Sequence, residues 1–236
     1  MLALAFAIAT AAGAIRGITG FGGAMVMTPP FAWLYGPAFA VPVALLLESV
    51  VAAPMLVQTR RAVRWPVIGP ILGTACIAAP LGVWILVVAD AVSLRRAIAG
   101  IVIVFGLLLL RGWRYEGRPR VSTSIAVGAL SGTMAGATSI GGPPVILYLL
   151  SGPDRVDTTR ANLTLFVAVT SLAGILAQWV AGVFTMEVAL AGLMLAPGYY
   201  LGLVAGGRLF PRFSDTRFRQ FTLVLLIAVS AGILVA

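Results

Sequence analysis

The sequence predicts an all-α polytopic membrane protein built from two inverted repeats, each a glycine-broken re-entrant helical hairpin plus three transmembrane helices. Three observations carry this. Of the 236 residues, 61% are hydrophobic and only 10% charged, and the mean hydropathy of +1.07 is far above that of soluble domains. A glycine-rich motif occurs twice, in the same internal register. The arginines fall mostly between apolar runs.

Apolar runs lie at about 2–15, 24–35, 37–58, 66–88, 94–110, 121–136, 143–150, 159–180, 186–207 and 218–235. The first run is apolar from its second residue, has no basic leader and no small-residue cleavage site, and reads as mature structure rather than a signal peptide. It breaks in glycine and resumes, as does the run at 121–136. Placing Gly22-Gly23 over Gly141-Gly142 brings Gly13 onto Gly132, Gly17 onto Gly136 and Thr19 onto Thr138. With small shifts for loop length, Glu48-Ser49 falls over Thr170-Ser171, the Gly73/Ala78/Gly82 series over Pro197/Gly202/Gly206, and Leu94-Arg95-Arg96 over Phe218-Arg219-Gln220. The chain therefore divides into a first membrane repeat (1–112), a cytoplasmic linker (113–120) and a second membrane repeat (121–236).

Arginine placement decides how the broken elements sit. If eight elements all crossed, the basic residues would split almost evenly between the two sides, against the positive-inside tendency. If residues 1–35 and 121–150 instead enter and leave on one side, each half crosses three times. Then Arg60, Arg61, Arg64, Arg111, Arg114, Arg118, Arg120, Arg155, Arg160, Arg208, Arg212, Arg217 and Arg219 share one face, and only Arg95 and Arg96 lie on the other. A straight helix of 35 residues would also measure roughly 50 Å, against a hydrocarbon core of about 30 Å. Three crossings per half turn the second repeat upside down relative to the first and put both termini on the extracytoplasmic side.

The composition excludes much chemistry. There is no His and a single Cys, Cys76, inside an apolar run. This leaves no disulfide framework, metal site or histidine-based catalysis within one chain, so neither a cofactor nor an enzyme activity is expected. The net charge of +9 is read as orientation against the membrane, not as nucleic-acid binding. Transport remains, or a structural role in the bilayer.

Non-helical backbone at membrane depth survives only where protein shields it or a cavity receives it. The breaks Thr19-Gly20-Phe21-Gly22-Gly23 and Thr138-Ser139-Ile140-Gly141-Gly142 are therefore the candidate binding site, since each precedes a new helix start whose amides and partial positive charge suit an anion. Pro143 fits the first turn of such a helix. Arg16, one turn before the first break, either neutralises the anion or snorkels to headgroups. Glu48, the one acid well inside an ordinary span, is a proton-coupling candidate; it can equally be a structural partner of Arg16 or a protonated hydrogen-bonding group. Ser49, Tyr148, Asn162, Thr170 and Ser171 are candidates for a surrounding hydrogen-bonding shell, although such residues also hold helices together. The Gly13/Gly17, Gly128/Gly132/Gly136 and Gly202/Gly206 series read as close helix packing. Trp65, Trp84, Trp113, Trp179, Tyr35, Tyr115 and Tyr199 read as interfacial anchors.

The paired segments GAIRGITGFGGAMVMTPP (13–30) and GTMAGATSIGGPPVILYL (132–149), two hydrophobic halves of similar length and the Pro197/Gly202/Gly206 pattern resemble the TauE/SafE family of sulfite exporters over essentially the whole chain. Members often carry a third consecutive glycine after the break, where Ala24 and Pro143 stand here. The resemblance implies export of small sulfur-containing anions, such as sulfite or organosulfonates, across the bacterial inner membrane, coupled to a proton or other ion gradient. An anion channel, a permease for carboxylates, and a non-transporting membrane subunit are the other readings of the same residues.

Overall fold

The computed structural model describes residues 2–113, 115, 120–150, 156–213, 223, 224, 226–228 and 230–232. Among these there are helices and no strands: α1 (Leu2–Thr19), α2 (Gly23–Tyr35), α3 (Pro37–Thr59), a 3-10 turn over Arg60–Ala62, α4 (Trp65–Val88), α5 (Ala91–Leu110), α6 (Val121–Thr138), α7 (Gly142–Leu149), α8 (Val156–Val180) and α9 (Met186–Phe213). The described residues between 223 and 232 are also helical. Phe218, Arg219 and Gln220, Arg114, Arg118, Arg155 and Arg217, on which parts of the sequence reading rest, lie outside the described residues.

Among the described residues six helices are long and apolar enough to cross a membrane: α1, α3 over Pro37–Val57, α4, α5, α8 and α9. The 13 residues of α2 and 8 of α7 fall short of the roughly 20 a crossing needs. Large apolar side chains on the long helices point outward, among them Ile77, Leu81, Val104, Leu172, Leu176 and Leu201, as a lipid-facing surface requires. Trp65, Trp84, Trp113 and Trp179 are exposed as well.

Helix ends follow local chemistry. Pro37, just after Gly36 (φ 87°), opens α3, where its missing N–H would have had no helical partner. Asp90 caps α5 by accepting a hydrogen bond from the Ser93 amide at 2.8 Å. Hydrogen bonding by Ser93, through its side chain first and its amide second, holds the Asp90 carboxyl below its ordinary range.

Among the described residues the two most extensive helix pairs are α1 with α9 and α4 with α6, followed by α3 with α8. The glycine series make the first two possible. A Cβ on Gly13 or Gly17 would collide with the Tyr199 or Leu203 carbonyl, and Gly202 and Gly206 return the contact onto the Thr10 and Ala14 carbonyls. In the same way Gly128, Gly132 and Gly136 of α6 lie on the Ile71, Ala75 and Ala79 carbonyls of α4. With no side chain between them the backbones touch, so dispersion and Cα–H···O contacts replace the hydrophobic drive that lipid cannot supply. Exchanging the two halves of the chain maps the α1/α9 pair onto the α6/α4 pair and leaves α3/α8 in place.

Candidate functional site

The two breaks use one local device. At the first, Thr19 Oγ1 donates to the Ile15 carbonyl at 2.8 Å and accepts from the Phe21 amide at 3.3 Å. At the second, Thr138 Oγ1 donates to the Met134 carbonyl at 2.7 Å and accepts from the Ile140 amide at 3.3 Å. Each threonine ties off the last helical turn and starts the next segment. The chain then needs left-handed backbone, supplied by Gly20 (φ 80°) and Gly22 (φ 87°) in one break and by Ser139 (φ 61°) in the other. Among the described residues Ser139 is the one non-glycine with positive φ.

Ser139 is held there by a hydroxyl pair with Thr28 of α2, Oγ to Oγ1 at 2.7 Å, which joins the second break to the helix that follows the first. Both side chains are buried. Ser139→Ala is expected to lower stability by about 1–2 kcal/mol, because it strands the Thr28 hydroxyl and keeps the left-handed strain. Ser139→Gly loses the same bond but relieves the strain, so its melting temperature should stay closer to the wild type. Equal losses for the two would disprove a strained residue at this position.

Charge concentrates beside the first break. Arg16 and Glu48 are 1% and 3% exposed, and Arg16 Nε stands 3.2 Å from Glu48 Oε2. The other carboxylate oxygen, Oε1, accepts two hydrogen bonds, from the Ala24 amide at 2.8 Å and the Tyr199 hydroxyl at 2.9 Å. Ala24 is in the first turn of α2, so the helix start at the first break is already occupied by a negative charge from this chain's own α3. That differs from the sequence expectation of open amides at both breaks. Gly23 has to be glycine here, because a Cβ would meet the Tyr199 hydroxyl and Glu48 Oε1. Arg16 Nε and Nη2 and Glu48 Oε2 have no hydrogen-bond partner among the described residues.

A cavity of about 30 Å³ lies between the breaks, room for a water molecule or two. Arg16, Phe21 and Gly22 line it from one side, Ser139, Ile140, Gly141 and Gly142 from the other, with Glu48, Thr170 and Ser171 between them. Of the remaining residues expected at the site, Thr19 and Thr138 serve the turns, Gly23 receives Tyr199, and Gly20 faces the Arg160 side chain. Ser49, Tyr148 and Asn162 stand elsewhere. The Ser49 hydroxyl returns to the Leu46 carbonyl at 2.8 Å, that of Tyr148 pairs with Ser124 Oγ at 2.7 Å, and Asn162 Oδ1 accepts from the Arg64 amide at 2.9 Å, bridging α8 to the start of α4.

Two residues of the cluster escaped the sequence reading. Thr28 was not singled out, and Tyr199, expected as an interfacial anchor, is fully buried on Glu48. A signal for Tyr199 existed: it precedes Gly202 and Gly206 by three and seven residues, which puts it on the packing face of α9, while Tyr200 points outward. A second cavity, of about 210 Å³, opens beside α1, lined by Gly17, Met55, Arg160, Tyr200 and Leu203 among others. The Arg160 guanidinium donates to the Gly17 carbonyl at 3.2 Å. No group of three or more acidic, Cys or His side chains fit to hold a metal occurs among the described residues.

The family model for the sulfite exporter TauE/SafE matches residues 5–233, nearly the whole chain. The chain belongs to the TauE/SafE family. This makes the TauE/SafE protein a multi-pass membrane transporter of small anions, and the two glycine breaks lie within the matched region. No curated protein and no solved structure matches the chain.

Proposed function

We propose that this TauE/SafE protein is a secondary transporter that exports small sulfur-containing anions, sulfite or organosulfonates, across the bacterial inner membrane, binding the anion between its two broken helices. One observation carries the reading: a nearly solvent-free guanidinium, Arg16, ion-paired through Nε to Glu48, keeps its Nη2 without a hydrogen-bond partner and lines a cavity shared by both breaks. Buried donors of that kind are costly unless something accepts from them, and an oxyanion does. Ser139 Oγ, Thr170, Ser171 and the amides of Gly141 and Gly142 complete the shell, Glu48 is the proton-coupling group, and no cofactor takes part.

The architecture fits alternating access. In this reading α1–α2 and α6–α7 are re-entrant hairpins entering from opposite sides. Two contacts and one packing pattern support it besides the arginine distribution. Arg95, at the start of α5, donates to the Ala32 carbonyl near the end of α2 at 2.9 Å. The Tyr115 amide lies 3.5 Å from the Leu147 carbonyl near the end of α7. The α1/α9 and α6/α4 pairs exchange when the halves exchange, as inverted repeats require. Both termini are then periplasmic and the 113–120 linker cytoplasmic.

The test is flux in proteoliposomes carrying an imposed pH gradient. Sulfite and methanesulfonate are expected to accumulate above their equilibrium concentration and to stop doing so when a protonophore collapses the gradient. Flux that only equilibrates the anion would instead identify a channel, and selective flux of a carboxylate over both sulfur anions would reassign the substrate.

A further inference from the structure

Glu48 occupies the place an anion would take. Its carboxylate sits against the guanidinium of Arg16 and on the first-turn amide of α2, the two features that recommend this break as an anion site. The cavity beside it is too small for an oxyanion while the carboxylate is in place. We propose that Glu48 is a tethered internal anion, that a transported anion binds Arg16 only when Glu48 is protonated and displaced, and that the site therefore takes one proton with one monovalent anion. This rests on the transporter reading above and specifies its substrate charge and coupling.

Electrostatics in a buried site enforces the exchange. With Glu48 ionised and no ligand, Arg16 and Glu48 sum to zero, the combination that the 3.2 Å contact between them suits. With Glu48 protonated and a monoanion on Arg16, the sum is again zero. The two other combinations strand charge away from water: protonated Glu48 without ligand leaves an unpaired guanidinium, and ionised Glu48 with ligand leaves a surplus negative charge. Buried unpaired charges are heavily penalised, so proton and anion arrive and leave together. A dianion would leave a net negative site even with Glu48 protonated. Hydrogen sulfite and sulfonate monoanions fit; sulfate does not.

The rest of the surroundings leaves Glu48 as the switching group. From α1 it faces Arg16 and from α9 Tyr199. Among the described residues α2 gives it only the Ala24 amide, and α6 and α7 bring Ala135, Ser139 and Pro143 to the cavity, none of them titratable. On α8 the polar cavity residues are Thr170 and Ser171; Arg160, with Asp157 nearby, stands against Gly20 and does not line the cavity, although it is within electrostatic reach of Arg16. Arg95 of α5 is engaged at the Ala32 carbonyl. The second half has no counterpart. In the register that overlays Gly22 on Gly141, Ala135 replaces Arg16 and Pro143, which has no N–H, replaces Ala24; Glu48 falls on Val167 there and on Thr170 once the loop-length shift is applied. Cation, amide and carboxylate are lost as a set, which leaves one coupling site per chain.

Calorimetric binding of methanesulfonate to purified protein between pH 5 and 8 tests this. Wild-type affinity should fall as pH rises, approaching about tenfold per unit with one proton taken up per anion, and sulfate should bind at least tenfold more weakly. Glu48→Gln should bind methanesulfonate independently of pH, within a few-fold of the wild type at pH 5. Tyr199→Phe, which removes a donor that favours the ionised carboxylate, should keep the wild-type slope and shift it to higher pH. A Glu48→Gln protein that retains the wild-type slope overturns the inference and leaves the binding site standing. Should Glu48→Gln fail to fold, Tyr199→Phe decides, and an unshifted profile overturns it. Arg16→Gln with wild-type binding would instead remove the site itself, and the inference with it.

Discussion

An Arg16→Gln variant is expected to insert into the membrane and to lose sulfite flux by about a hundredfold or more, since two charge-assisted hydrogen bonds at about 1.5 kcal/mol each already amount to that factor. Its stability should fall too. Glu48 is nearly inaccessible, and removing one partner of a buried pair typically costs about 3–5 kcal/mol, mostly because the other charge is stranded. That second effect makes a lone flux measurement ambiguous, so the informative comparison includes Arg16→Gln/Glu48→Gln. The double variant no longer strands a carboxylate; it should regain most of the lost melting temperature and none of the flux, with non-additive stability losses. If flux returned with stability, Arg16 would be a structural counter-ion to Glu48 and nothing more. If Arg16→Gln alone kept wild-type flux, the anion would have to bind elsewhere, and the larger cavity at Arg160 would become the place to look.

What could be read from the sequence was whatever depends on neighbours along the chain. Hydropathy locates the long helices because each must fill the bilayer by itself, and predicted ends fall within a few residues of α3, α4 and α5. The breaks were legible because glycine pairs recur in register, with Thr19 and Thr138 at equivalent positions. The charge cluster was half legible: an Arg and a Glu in apolar runs stand out singly, but their meeting joins residues 32 apart, and Tyr199 lies 151 positions from the carboxylate it holds. Whether α2 begins with open or occupied amides depends on that long-range meeting. Ser49, Tyr148 and Asn162 looked like site residues for the opposite reason. A polar group in an apolar run must find a partner, yet nothing local reveals that the partner is a backbone carbonyl, Ser124 or the Arg64 amide.

Gly132→Val should be the most damaging substitution remote from the charges, lowering stability by about 3 kcal/mol or more, at the upper end of overpacking effects. Its obstacle is not a side chain that can turn aside. The added Cβ would meet the carbonyl, Cα and carbonyl carbon of Ala75, so relief requires α6 to move off α4 along their whole shared face. That movement also carries the second break, which follows α6 directly, away from the cavity. Anion binding and folding should therefore fail together, unlike in Arg16→Gln/Glu48→Gln, where stability returns without flux. Gly73 is the control: it lies two residues from Ala75 on α4, about 200° around the helix from it, is exposed, and has nothing within 4 Å of its missing Cβ. Gly73→Ala should be neutral or stabilising by up to about 1 kcal/mol, from helix propensity alone. Melting temperature and size-exclusion profile in detergent separate the two outcomes. A Gly132→Val protein that melts with the wild type would mean that α4 and α6 do not rest backbone on backbone, and the glycine series would lose its role in placing the breaks.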